Sequence, residues 1–101
     1  MERITLLGST GSIGEQTLDI VRRHPERFRI TSLVAHSRWQ QLAAQAREFD
    51  AESVVIGDER HYEALRAALA DTRTEVLAGS EAINHVAKSY RSDTIVNALV
   101  G

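Results

Sequence analysis

The sequence predicts an α/β fold, a doubly wound parallel sheet of about five strands alternating with four helices. Three observations carry this expectation. Periodicity switches repeatedly between short β-branched or aliphatic runs and stretches whose apolar residues recur at three- and four-residue spacing. The first strand-to-helix junction holds GSTGSIG at residues 8–14. Finally, 101 residues that are 43% hydrophobic and 26% charged suit one compact domain with a single core.

Taken in order, residues 3–7 (RITLL) form a buried-type strand ending at Gly8. From Ile13, the residues Thr17, Leu18, Ile20 and Val21 continue one apolar helix face. Arg22, Arg23, His24 and Pro25 close that helix, since cations suit a C-terminal dipole and proline cannot extend it. A second strand is expected over 28–35 (FRITSLVA) and a second helix from Arg38 to Phe49, with Ser37 and Gln40 at capping-box spacing. Val54, Val55 and Ile56 make a third strand, and Asp58 suits the N-cap of a helix carrying Tyr62, Leu65 and Leu69. Thr74 to Leu77 read as a fourth strand, Ser80 as the cap of a fourth helix to about Tyr90, and Thr94 to Val100 as a fifth strand. That strand runs to Gly101 with nothing after it to cover its edge, so the chain reads as a piece of something longer.

Composition narrows the partners. A formal net charge of −2 gives no global attraction for nucleic acid. The absence of cysteine removes disulfides and thiolate metal sites and fits a reducing compartment. The first apolar run, Ile4 to Leu7, is far too short for a signal peptide or membrane span, so no membrane partner is expected and the location reads as cytoplasmic. A removed transit peptide would leave no trace, which keeps a plastid location open. The histidines His24, His36, His61 and His85 lie on separate elements without ligand-like spacing, so no metal site is expected from this chain.

The glycine heptapeptide has a mechanism. Gly8 permits a tight turn, Gly11 removes a Cβ that would block a pyrophosphate, and Gly14 lets the new helix lie close to the sheet. Amides around Thr10, Gly11, Ser12 and Ile13, at the positive end of a helix, then suit phosphate oxygens, and the hydroxyls of Ser9, Thr10 and Ser12 add donors. The pattern G-x-x-G-x-x-G is a relative of the stricter dinucleotide fingerprint, so the fold is expected to be Rossmann-type. The competing reading is a glycine-rich connection with no ligand.

The end of the second strand refines the ligand. NAD-specific domains place a carboxylate there, about 20 residues past the glycines, on the ribose 2′-hydroxyl. This chain instead has His36, Ser37 and Arg38. Arg38 can pair with a 2′-phosphate, Ser37 can donate a hydrogen bond, and His36 adds charge when protonated, so NADPH is expected over NADH. Simpler roles compete: Ser37 as a helix cap, Arg38 as a solvated first-turn residue, His36 as a loop residue. Trp39, directly after Arg38, is placed to flank an adenine ring, but packing on the second helix's neighbour is the expectation for a first-turn tryptophan; Asn97 either faces the nicotinamide half of the site or satisfies backbone groups.

LGSTGSIGEQTLDIVRRHPERFRI (Leu7 to Ile30), EVLAGSEA (Glu75 to Ala82) and IVNALVG (Ile95 to Gly101) together closely resemble the amino-terminal domain of 1-deoxy-D-xylulose 5-phosphate reductoisomerases, in order and over the whole chain. The resemblance implies a domain, residues 1–101, of an NADPH-dependent enzyme of the non-mevalonate isoprenoid pathway. Such an enzyme rearranges and reduces 1-deoxy-D-xylulose 5-phosphate to 2-C-methyl-D-erythritol 4-phosphate with a divalent metal, Mg or Mn, and the full-length protein is a homodimer. It maps the cofactor loop onto Thr10, Gly11, Ser12 and Ile13, and the 2′-phosphate segment onto His36, Ser37 and Arg38. Members commonly carry a glycine-containing triplet where this chain has His36-Ser37-Arg38, so a side chain at 36 is expected to narrow the adenosine pocket. The family's catalytic, metal and sugar-phosphate residues lie beyond this stretch; none is assigned here, and these 101 residues alone are expected to be inactive. The alternatives are a stand-alone nucleotide-binding or sensing module, or the cofactor domain of another NADP-dependent reductase.

Overall fold

The computed structural model describes residues 1–89 and 91–99. Strands β1 (Glu2–Leu7), β2 (Phe28–Ala35), β3 (Ser53–Ile56), β4 (Glu75–Ala78) and β5 (Thr94–Asn97) alternate with helices α1 (Ser12–Arg23), α2 (Trp39–Phe49), α3 (Tyr62–Ala68) and α4 (Ser80–Ala87). A 3-10 turn, Glu59–His61, leads into α3. The sheet order is β4-β3-β2-β1-β5 and every strand pair is parallel. The chain therefore steps outward from β1 to β4, then returns across the sheet to the free edge of β1. Parallel strands require crossovers, and right-handed crossovers in opposite directions put their helices on opposite faces.

Packing follows that rule. On one face Ile4, Leu6, Ile30, Leu33, Val54 and Ile56 meet Leu18 and Val21 of α1, Leu42 and Ala46 of α2, and Leu65 of α3 in one buried cluster. On the other, Leu7, Val34 and Val55 meet Val86 of α4 in a smaller one. Each fully buried Leu or Ile contributes roughly 1.5–3 kcal/mol by leaving water, so the first face carries most of the apolar stabilisation. Ile30 and Leu33 face the same side although a regular strand would turn them to opposite ones. A register shift accounts for it: Ile4 pairs with Ile30 but Thr5 pairs with Ser32, which leaves Thr31 as the extra residue of a bulge.

Several local expectations need correction. Ile13 and Ile20 are exposed, and the inner stripe of α1 is Gly14, Leu18 and Val21, because the helix turns its glycine toward the sheet. Ser37 does not cap α2. The Trp39 amide instead donates to the Ser37 carbonyl at 2.8 Å across Arg38, whose φ of −80° and ψ of 69° make an inverse γ-turn, and Arg38 stands at the cap position. Ser80 is the first residue of α4, after Gly79 with φ of 94°, and its side chain caps nothing. Asp58 does cap, accepting from the Arg60 amide, but it caps the 3-10 turn ahead of α3. The expected fourth helix ends at Ala87 rather than near Tyr90, and the fifth strand at Asn97 rather than Val100; Tyr90 and Val100 lie outside the described residues. Arg22, in the last turn of α1, reaches α2, where it pairs with Glu48 and lies 5.3 Å from the Phe49 ring centroid.

Candidate cofactor site

The reversal of direction between β1 and β5 makes the sheet's switch point, where open α/β sheets bind ligands at the carboxyl ends of the strands. GSTGSIG sits there. The Gly8 and Ser9 amides both donate to the Val34 carbonyl, at 2.8 and 3.0 Å, which pins the start of the turn to β2. Gly8 has φ of +86°, and a Cβ on it would lie 2.9 Å from the Ala98 backbone. A Cβ on Gly14 would lie 2.1 Å from the Gly8 carbonyl oxygen, so no side chain permits this approach of α1 to the turn. Gly11 differs from both: the nearest atom to its Cβ would be 3.8 Å away. Among the described residues nothing requires glycine at 11; the open space faces outward.

The donors at this position are uncommitted. Gly11 is the N-cap of α1 with no side-chain cap, and the first helical bond runs from the Glu15 amide to the Gly11 carbonyl. Among the described residues, no acceptor pairs with the amides of Ser12, Ile13 and Gly14. They stand at the positive end of a twelve-residue helix, beside exposed Gly11, Ser12 and Ile13. Ser9 is not the surface donor its sequence position suggests: it is fully buried and its Oγ has no partner among the described residues.

His36, Ser37 and Arg38 are exposed at the neighbouring end of β2. The Gly57 and Asp58 amides donate to the Ala35 and His36 carbonyls, each at 2.8 Å. A Cβ on Gly57 would lie 2.9 Å from His36 Nδ1, so Gly57 supplies the room in which the imidazole rests. The Arg38 Nη1 reaches the Thr10 carbonyl at 3.4 Å, which places the guanidinium at the rim of the glycine turn. Arg22, Arg23, Arg47 and Arg60 are paired with carboxylates, whereas Arg38 has no ion pair among the described residues. A cleft of about 550 Å³ continues from His36 past Gly57 and Asp58 to Gly79 and Ser80. On its wall, hydrogen bonds from the Arg60 guanidinium and amide hold the Asp58 carboxyl well below the usual carboxylate range.

Other candidates resolve differently. Trp39 packs against the main core. Asn97 Oδ1 accepts from the Leu99 amide at 3.0 Å, a backbone role. Among the described residues no group of three or more His, Cys, Asp or Glu side chains comes together. A larger cleft, about 790 Å³, lies under α4 and includes Thr31 and Ser32 from the middle of β2 and Ser53 from the start of β3. Gln45 was not singled out from sequence. It interrupts the apolar stripe Leu42, Ala43, Ala46 on the inner face of α2, and a buried amide in such a stripe was the available signal.

A parallel sheet in this strand order, with a glycine turn at its switch point and, among the described residues, an unpaired cation on the adjoining loop, defines a doubly wound, Rossmann-type domain. The family model for 1-deoxy-D-xylulose 5-phosphate reductoisomerase matches residues 4–101, and the chain belongs to that family. A 1-deoxy-D-xylulose 5-phosphate reductoisomerase of Burkholderia mallei (strain SAVP1) is 47% identical over 102 residues, which cover 99% of this chain and 26% of the relative. One from Burkholderia pseudomallei (strain K96243) matches equally. The reductoisomerase of Zymomonas mobilis solved in complex with NADPH superposes with a TM-score of 0.94 at 35% identity, over 99% of this chain and 26% of that one. A reductoisomerase in complex with NADPH, fosmidomycin and magnesium superposes with a TM-score of 0.94 at 37% identity, over all of this chain and 25% of that one. The chain thus spans about a quarter of the length of the relatives it matches.

Proposed function

We propose that residues 1–101 are the NADPH-binding domain of a reductoisomerase that converts 1-deoxy-D-xylulose 5-phosphate to 2-C-methyl-D-erythritol 4-phosphate. The observation that carries this reading is the outward-facing space at Gly11 beside the unpaired amides of α1, with Arg38 across the rim. Those features fit a dinucleotide: the amides of Ser12, Ile13 and Gly14 bind pyrophosphate oxygens, Gly11 admits them, and the Thr10 and Ser12 hydroxyls lie beside them. Arg38 pairs with the 2′-phosphate, Ser37 donates to it from a side chain that its own helix does not use, and His36 borders the adenosine against Gly57. NADPH, when bound, supplies the hydride for the reduction. This stretch orients the dinucleotide, while proton handling, the divalent metal and the sugar phosphate fall to the rest of the enzyme, a cytoplasmic homodimer in this reading.

The test is a pair of titrations in the protein at its natural length. NADPH binds more tightly than NADH, and the purified protein converts the substrate with NADPH oxidation. Equal affinity for the two cofactors would overturn the 2′-phosphate assignment. Turnover by residues 1–101 alone would overturn the division of labour.

A further inference from the structure

Behind the glycine turn, on the side away from solvent, one side chain ties its two ends together. Gln45 is 5% exposed, and its Nε2 donates to the Ser9 carbonyl at 3.0 Å and also to the Glu15 carboxylate. Gln41, one helical turn earlier, donates to the same Glu15 oxygen at 3.0 Å. Ser9 opens the turn and Glu15 lies in the first turn of α1, so the segment that presents the free amides is bracketed by bonds from a single residue of α2. Glu15 also puts a carboxylate one residue past those amides, where an unrestrained negative charge opposes a pyrophosphate. The two glutamine amides hold that carboxylate toward α2. They are neutral donors, so they restrain the charge without competing for the anion.

We propose that Gln45 is a positioning residue for cofactor binding: its amide holds the turn in its amide-presenting conformation and keeps the Glu15 charge away from the pyrophosphate. The inference rests on the dinucleotide reading of the site. It acts on the pyrophosphate, which NADPH and NADH share, and is therefore separable from the role of Arg38.

The experiment titrates NADPH and NADH into wild type, Gln45→Leu, Glu15→Gln and the double variant, in the protein at its natural length, with circular dichroism reporting the fold. In Gln45→Leu both dissociation constants rise about tenfold and by the same factor, as expected for losing charge-assisted restraint at the shared group. Glu15→Gln alone shifts affinity by no more than about twofold, yet in the Gln45→Leu background it recovers most of the loss, a coupling that a merely structural role does not produce. Should Gln45→Leu not fold, Gln45→Asn, which draws the amide back by one methylene, is read in the same way. A folded Gln45 variant with wild-type affinity, or a loss that Glu15→Gln does not recover, overturns the proposal while leaving the cofactor reading in place. A wild type that binds neither nucleotide overturns the cofactor reading itself.

Discussion

Two turns leave the carboxyl ends of adjacent strands, and they are built in opposite ways. The turn over residues 8–14 is over-determined: two amides share the Val34 carbonyl, Gly14 lies where any side chain would collide with Gly8, and Gln45 grips it from behind. The turn over residues 36–38 is a single inverse γ-turn whose side chains are all exposed, and it is linked to the glycine turn by a 3.4 Å hydrogen bond from Arg38 to the Thr10 carbonyl. In the proposed cofactor reading the difference separates two tasks. Presenting amides to a pyrophosphate requires a rigid backbone, because the donors cannot adjust individually. Choosing between a hydroxyl and a phosphate requires only a charge of the right sign on a reachable side chain.

Gly14→Ala should break the first turn outright. On helix propensity alone the change would stabilise by about 1 kcal/mol. A Cβ 2.1 Å from a carbonyl oxygen reverses that sign, and overpacking against backbone should cost about 3 kcal/mol or more, visible as a fall in the thermal midpoint. Next in size is Arg38→Ala, which leaves the fold intact and weakens NADPH by about 1.5–3 kcal/mol, with NADH unaffected. A parallel loss for both cofactors would place Arg38 on the pyrophosphate instead. Gly11→Ala sharpens the contrast within the rigid turn. A Cβ there meets nothing nearer than 3.8 Å, so stability should change by less than about 1 kcal/mol, while either dinucleotide binds about tenfold more weakly in calorimetric titration.

The smallest effect belongs to Asp58, on the wall of the cleft beyond His36. Its folded carboxyl is held below the ordinary value of about 3.9, so its stabilisation is complete above that pH and is lost as pH falls toward the folded value. The thermal midpoints of wild type and Asp58→Asn should therefore differ most near neutrality and converge below about pH 4. The pair with Arg60 is screened by solvent and salt, which keeps the difference small.

Much of this was legible in the sequence for local reasons. The second strand occupies residues 28–35, the stretch FRITSLVA expected from the sequence. Gly8 and Gly14 occupy the close contacts that their spacing implies. The caps at Ser37 and Ser80 misled, because a serine near a helix start can cap only if the backbone turns there. In both cases another residue, Arg38 in its γ-turn and Gly79 at positive φ, made the turn first. The exposure of Ile13 and Ile20 was hidden for a related reason: helical spacing offers several apolar stripes, and the approach of Gly14 to Gly8 decides which one faces inward.

By itself, then, the sequence determined the alternation of strands and helices, the glycine turn, and the cation that stands where an acid would select NAD. These are properties of short stretches, in which propensity, chirality and charge act within a few residues. Only the tertiary structure decided the strand order and the bulge at Thr31. It also decided that Arg38 meets Thr10 across 28 residues and that Gln45 meets Ser9 across 36. Those pairings depend on how the crossovers stack one strand beside another, and no local preference encodes which distant residue will arrive there.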